Sequence, residues 1–237
     1  MSTLAINPIH RAVSFWDAAI GKKVVMAVTG VMLFGYVVAH LLGNLQIYSA
    51  NRDQINMYAA FLHNPSNVGL LWGARLVLLA AVALHIVSSV QLWNLKRIAR
   101  PVGYVKKADV PTSYAARTMM WSGPIIAAFV IFHILHLTVG SVPGLPLREV
   151  GGDPTHPDVR ANLIAGFSNP AVAGFYIFAM ILLCTHLFHG LWSMFQSLGI
   201  SHPRYTPWLK KAAAVVAILI CLGNISIPIS VLLGLVN

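Results

Sequence analysis

Acidic side chains are scarce in this sequence. Six Asp and Glu stand against sixteen Lys and Arg in 237 residues, and only 9% of the chain is charged, where soluble domains carry about 25%. None of the six acids falls inside the long apolar runs. That disfavours a proton-coupled transporter, which works with buried carboxylates. Cysteine is rarer still. Cys184 and Cys221 both sit in apolar runs, so a disulfide framework is not expected and cysteine-held iron–sulfur clusters are excluded. There is no CxxCH haem-attachment motif, no dinucleotide-binding glycine fingerprint, no low-complexity tract and no clean internal repeat. A cleavable signal peptide is not expected either. The stretch "MSTLAINPIHRAVSFWDAAIGKK" is polar and amphipathic, and the apolar run after it is too long for a signal h-region.

What the sequence does have is apolar length. It is 57% hydrophobic, with a mean hydropathy of +0.74. A membrane span needs about 20 predominantly apolar residues. Five segments qualify, and helices are predicted at roughly 21–47, 69–97, 118–140, 170–198 and 210–235. They do not alternate as barrel strands do, and only helices or closed barrels can cross lipid. The expected fold is an all-α membrane protein, a five-transmembrane-helix bundle forming one domain over residues 1–237.

The net charge of +10 follows the crossings. The tail holds Arg11, Lys22 and Lys23, the second-to-third connection six cations from Lys96 to Arg117, and the fourth-to-fifth Arg204, Lys210 and Lys211. The other two connections are nearly neutral. This is the positive-inside pattern. It places the N-terminus and the basic loops in the cytoplasm and the C-terminus outside, and it accounts for the charge without nucleic acid. Residues 1–20 read as an amphipathic lead-in with Ile9, Val13 and Trp16 on one face. Residues 48–67, with Tyr58, Phe61 and Leu62, read as a loop with a short interfacial helix. Residues 141–169 read as a long loop rich in Pro and Gly.

The informative residues are histidines. His10, His63, His156 and His202 fall in the tail or loops, whereas His40, His85, His133, His136, His186 and His189 fall inside four of the five helices. A lone intramembrane histidine is often only hydrogen-bonded to a neighbouring helix. Four helices each bearing one point to a cofactor, since neutral imidazole is a metal and haem ligand. Depth sorts them. His85 lies 11 residues from Lys96 and His186 lies 12 from Leu198, which puts both about 16–18 Å in at 1.5 Å per residue. His40 lies 19 residues from Gly21 and His133 lies 15 from Thr118, roughly 22–28 Å in. Two b-type haems are therefore expected, the inner on His85 and His186 and the outer on His40 and His133. Within "FHILHLTVG" the alternative His136 stays open, and depth slightly prefers it as the partner of His40. His189 is the alternative to His186. Gly30, Gly35, Gly43, Gly69, Gly73, Gly123 and Gly174 suit either close approach of a flat macrocycle or plain helix packing.

Several stretches carry a resemblance: "GKKVVMAVTG" and "AHLLGNLQIY" in the first helix, "LHIVSSVQLW" in the second, "FHILHLTVG" in the third and "THLFHGLWSMFQSLGISHP" in the fourth. The last contains HxxHGxWSxxQSxG, the most specific piece. Over nearly its whole length the chain resembles the diheme cytochrome b anchor of succinate:quinone oxidoreductases (succinate dehydrogenases and fumarate reductases), in its single-chain, five-helix form. The resemblance implies His40, His85, His133 and His186 as the axial ligands, which decides against His136 and His189. It implies a membrane subunit taking electrons from a flavoprotein through an iron–sulfur subunit, both docked on the cytoplasmic face of a bacterial inner membrane. The expected acceptor is a lipid quinone, menaquinone being common in such relatives, and fumarate reduction uses the same architecture. A departure is Cys184, where some relatives carry a glutamate implicated in proton transfer. Rival readings are the cytochrome b subunit of a formate dehydrogenase or hydrogenase, and a histidine-lined transporter.

The quinone site is expected near the outer haem, under the first outer loop. Tyr58 and His63 lie there, His63 as a candidate proton donor, with Arg75 at the start of the second helix as a candidate partner for a haem propionate. Lys22, Lys23 and Trp16 mark a competing inner site.

Overall fold

The computed structural model describes residues 15–99 and 114–237. The first fourteen residues of the amphipathic lead-in, and residues 100–113 of the basic loop, lie outside the described residues. Five long helices form the body: α1 (Ala19–Asn44), α3 (Val68–Ile98), α4 (Tyr114–Ile134), α6 (Pro170–Ser197) and α7 (Thr206–Leu232). Each is long and apolar enough to cross a membrane, which is the signature of a multi-pass membrane protein. Two short helices, α2 (Gln54–His63) and α5 (Val159–Phe167), lie between them, and there is no strand among the described residues. Large apolar side chains face outward along the long helices, among them Leu70, Trp121, Leu219 and Leu222, as lipid contact requires.

The helices pack in a definite order. α6 lies along α7, α1 along α3, α4 along α6, and α1 also touches α6. The α6–α7 seam is made of small residues, with Ala173, Ala179 and Ala217 fully buried, so the two backbones approach closely. Both thiols serve this seam. Cys184 Sγ donates to the Ala217 carbonyl at 3.5 Å, and Cys221 Sγ to the Met180 carbonyl at 3.6 Å. Cys184 is thus turned toward α7.

All the described cations of the tail and the two basic connections gather at one end of the bundle, the start of α1, α4 and α7 and the finish of α3 and α6. The opposite end is closed by α2 and α5. The loop 141–169, read as a long loop rich in Pro and Gly, contains α5 (Val159–Phe167) near its end. Asp158 caps that helix by accepting from Ala161 N at 3.0 Å, and Leu163 and Phe167 bury its apolar face. The helix is two turns long, and the prolines and glycines ahead of it mask its signal. Arg160 fastens it down, donating to the Ile47 carbonyl at 3.0 Å and the Asn237 carbonyl at 3.1 Å. Buried Asn162 clasps the backbone of Arg148, accepting from its N–H at 2.7 Å and donating to its carbonyl at 3.1 Å.

Candidate functional site: two facing histidine pairs

Four of the six intrahelical histidines fall at two levels. His85 and His186 lie about 20 and 17 Å from the basic ends of α3 and α6, and His40 and His133 lie about 32 and 29 Å from the basic ends of α1 and α4, at 1.5 Å per residue. Across the bundle each meets one partner. The rings of His85 and His186 stand 6.4 Å apart, centre to centre, and those of His40 and His133 stand 5.7 Å apart. Neither α3 with α6 nor α1 with α4 is a main packing pair. The rings face one another across the bundle, between helices that do not lie side by side.

For His85 a hydrogen bond fixes the tautomer. His85 Nδ1 donates to the Met26 carbonyl at 3.2 Å and lies 3.2 Å from Thr29 Oγ1. A carbonyl only accepts, so the proton is on Nδ1 and Nε2 keeps its lone pair. Gly30 lets the ring lie against α1, since a Cβ there would touch His85 Cε1 at 3.5 Å. His133 Nδ1 lies 3.2 Å from the hydroxyl of Tyr176. His186 Nδ1 lies 3.5 Å from Ser122 Oγ, at the edge of hydrogen bonding. His40 stacks on Tyr36 at 5.4 Å, one turn back.

The second histidine of each HxxH has different surroundings. Beyond Ile134 the helix widens into a π turn, Leu135–Val139, that ends at Gly140 with φ 72°. Such turns recur at functional sites. His136 is buried on this turn, its Nδ1 2.9 Å from the same Tyr176 hydroxyl. Its Nε2 edge presses on α5, where a Cβ on Gly166 would lie 2.6 Å from it. His189 lies one turn beyond His186 toward the basic end. Its Nδ1 is buried without a partner among the described residues, and so are Ser88 Oγ and Gln91 Oε1, one and two turns beyond His85. Unpaired buried polar atoms are rare in finished structures, and here three follow the inner pair on its own two helices.

Arg75 lies on α3 ten residues before His85, level with the outer pair by rise, its guanidinium 5.0 Å over the Trp72 ring. His63 ends α2, and its Nδ1 donates back to the Ala59 carbonyl at 2.8 Å, leaving Nε2 without that bond. Tyr58 packs on Gly43, where a Cβ would lie 3.0 Å from its ring. That glycine therefore serves the contact of α2 with α1.

Chemically, the histidines converge in twos. Among the described residues no three His, Cys, Asp or Glu side chains form a metal-binding group. Two nitrogens on opposite sides of one metal ion, each about 2 Å from it, set their ring centres roughly 6 Å apart, which both pairs match. Ligating imidazoles also characteristically donate their other N–H to a carbonyl or similar acceptor, as His85 does. Sequence reading missed Tyr176, Thr29, Ser122, Ser88 and Gln91. Each is a polar residue in an apolar span, the signal that exposed the histidines. What was invisible was the cross-helix register that pairs them. No family model, curated protein or solved structure matches the chain.

Proposed function

We propose that this chain is the membrane anchor of a succinate:quinone oxidoreductase, a two-haem subunit that takes electrons from a flavoprotein through an iron–sulfur partner. The observation that carries the haem reading is the pairing of four histidines from four helices at two depths, with ring centres 5.7 and 6.4 Å apart. His85 and His186 would hold the inner haem and His40 and His133 the outer. Bound there, two haems supply reversible one-electron chemistry at two levels of the membrane, which is what joins a cytoplasmic electron donor to a quinone.

The chain's own residues prepare those positions. Met26 and Thr29 hold the His85 ring in one tautomer, and Ser122 stands behind His186. Ser88, Gln91 and His189 offer unpaired polar atoms next to the inner pair, suited to the carboxylate edge of the group. Arg75 offers a positive charge at the level of the outer pair. The basic end, with Lys22, Lys23, Lys96, Arg97, Lys210 and Lys211, is the docking face for the soluble partners. His63, with Nε2 free, and Tyr58 are the candidates for a quinone site at the opposite end, menaquinone being the acceptor the resemblance suggests.

The test is a reduced-minus-oxidised spectrum of the purified chain with a pyridine haemochrome assay. Two haems b per chain are expected, and a complex isolated from native membrane should carry flavin and iron–sulfur clusters. No α-band overturns the haem reading. A molybdenum or nickel–iron partner in place of flavin overturns the assignment to succinate chemistry.

A further inference from the structure

We infer, resting on the two-haem reading, that Tyr176 and His136 form a hydrogen-bonded relay behind His133 that fixes its tautomer and lowers the reduction potential of the outer haem. The relay is built from three side chains on two helices. Tyr176 of α6 puts its hydroxyl 3.2 Å from His133 Nδ1 and 2.9 Å from His136 Nδ1. Its ring is buried and held edge-on by Phe129, Phe132 and Phe167, at 5.0, 6.1 and 4.9 Å between centres. The hydroxyl therefore cannot swing away from both nitrogens together.

A phenol has one proton to give and lone pairs to accept with. If His133 turns Nε2 toward His40, its proton sits on Nδ1 and must be donated to the Tyr176 oxygen. The Tyr176 hydroxyl then donates to His136 Nδ1. The remaining proton of His136 lies on Nε2, the edge lodged against Gly166. Beyond it is a cavity of about 10 Å³, lined in part by Leu145, Leu147 and Asn162, large enough for one water. Every donor in the chain points the same way, from the bundle centre toward α5. Aligned hydrogen bonds polarise one another, and a ligand whose N–H is accepted becomes more basic. A more basic His133 stabilises the oxidised iron over the reduced one. The π turn carries His136, and so places the second imidazole within reach of the shared hydroxyl.

The experiment is a redox titration followed by optical and electron paramagnetic resonance spectra, on wild type, Tyr176→Phe, His136→Ala and the double variant, all in the full-length chain. Tyr176→Phe keeps the ring and its aromatic contacts and deletes only the relay. Both haems should be retained, the outer midpoint potential should rise, the outer low-spin signal should shift, and the inner haem should not move. His136→Ala should raise the outer potential by less. The double variant should match Tyr176→Phe, because His136 acts through Tyr176. Two haems with an unmoved outer potential, whatever the loss of thermal stability, overturns the relay alone. If Tyr176→Phe fails to hold the outer haem, His136→Ala decides, and an unmoved potential there overturns it too. No haem in the wild-type chain removes the reading beneath the relay as well.

Discussion

The two histidine pairs are set by different means. The inner pair leans on backbone and small hydroxyls: the Met26 carbonyl and Thr29 behind His85, and Ser122 at 3.5 Å behind His186. The outer pair is set among rings. Tyr36 stacks on His40, and Phe129 and Tyr176 flank His133. Its surroundings are closed by α5, whose Gly166 touches His136. The inner pair is followed by three unpaired polar atoms, and the outer by a Tyr176 hydroxyl within hydrogen-bond distance of both His133 and His136. A site walled by aromatic packing should tolerate little change of volume, whereas one held by backbone should tolerate loss of any single side chain behind the histidine. The same side-chain type thus rests on a rigid setting at one depth and a replaceable one at the other.

The largest effect expected is loss of a ligand. His40→Ala or His133→Ala should remove the outer haem and leave the inner, and His85→Ala or His186→Ala should do the reverse. Each would take the haemochrome stoichiometry from two per chain to one. His189→Ala should keep both. If the His40 and His85 variants lost the same spectral component, the pairing drawn from the ring distances would be wrong.

Much of this was legible in the sequence, and for a physical reason. Lipid admits few charges, so five spans stand out as runs without Asp or Glu, and each begins and ends within a few residues of the helices seen. The histidines stood out on the same ground, and helical rise alone sorted four of them into the two levels at which they now face each other. Depth, however, preferred His136 for the partner of His40, and the facing ring is that of His133. The π turn beyond Ile134 and the pull of Tyr176 turn His136 toward α5, and neither shows in a periodicity. α5 was hidden because two turns between glycines and a proline leave little pattern. Tyr176 was hidden because a tyrosine in an apolar run has no visible partner until α4 and α6 are laid together.

Volume changes should separate the two settings next. Gly166→Ala would place a methyl 2.6 Å from His136 Nε2, and overpacking a filled site costs about 1–3 kcal/mol. Thermal unfolding should show that loss, with the outer haem spectrum shifted and the inner unchanged. Gly30→Ala brings its methyl to 3.5 Å from His85 Cε1, an ordinary contact, and should cost less and leave both spectra alone. An inner shift from Gly30→Ala as large as the outer shift from Gly166→Ala would erase the contrast.

Hydroxyl deletions at the inner pair come third. Thr29→Val removes one neighbour of His85 Nδ1 but leaves the Met26 carbonyl to accept its proton, so the tautomer holds. The net worth of one such hydrogen bond is about 0.5–1.5 kcal/mol, and haem content should stay at two. Ser122→Ala, at a 3.5 Å contact, should do less. Loss of the inner haem in the Thr29 variant would mean that the side chain, not the backbone, holds the ring.

The smallest effect expected lies outside both pairs, and it tests whether the loop at the opposite end is coupled to them. Asp153 accepts from Thr155 Oγ1 at 2.7 Å and Thr155 N at 2.8 Å, and His156 Nδ1 lies 2.7 Å from its other oxygen. These partners, the Thr155 hydroxyl first, hold its carboxyl below its ordinary value of 3.8. A carboxylate whose value is lowered by folding favours the folded chain above its unfolded value, and that favour is lost as pH falls through the folded value. The window therefore lies below about pH 4, and exposure to solvent keeps the effect small. Wild type should lose slightly more thermal stability between about pH 5 and pH 3 than Asp153→Asn, since only wild type has this carboxylate to protonate. The haem spectra should be the same in both, because the turn closes on itself through Thr155 and His156. An Asp153→Asn variant with an altered outer spectrum would tie this exposed turn to the aromatic setting of His133, and the two ends of the outer half would then have to be treated as one unit.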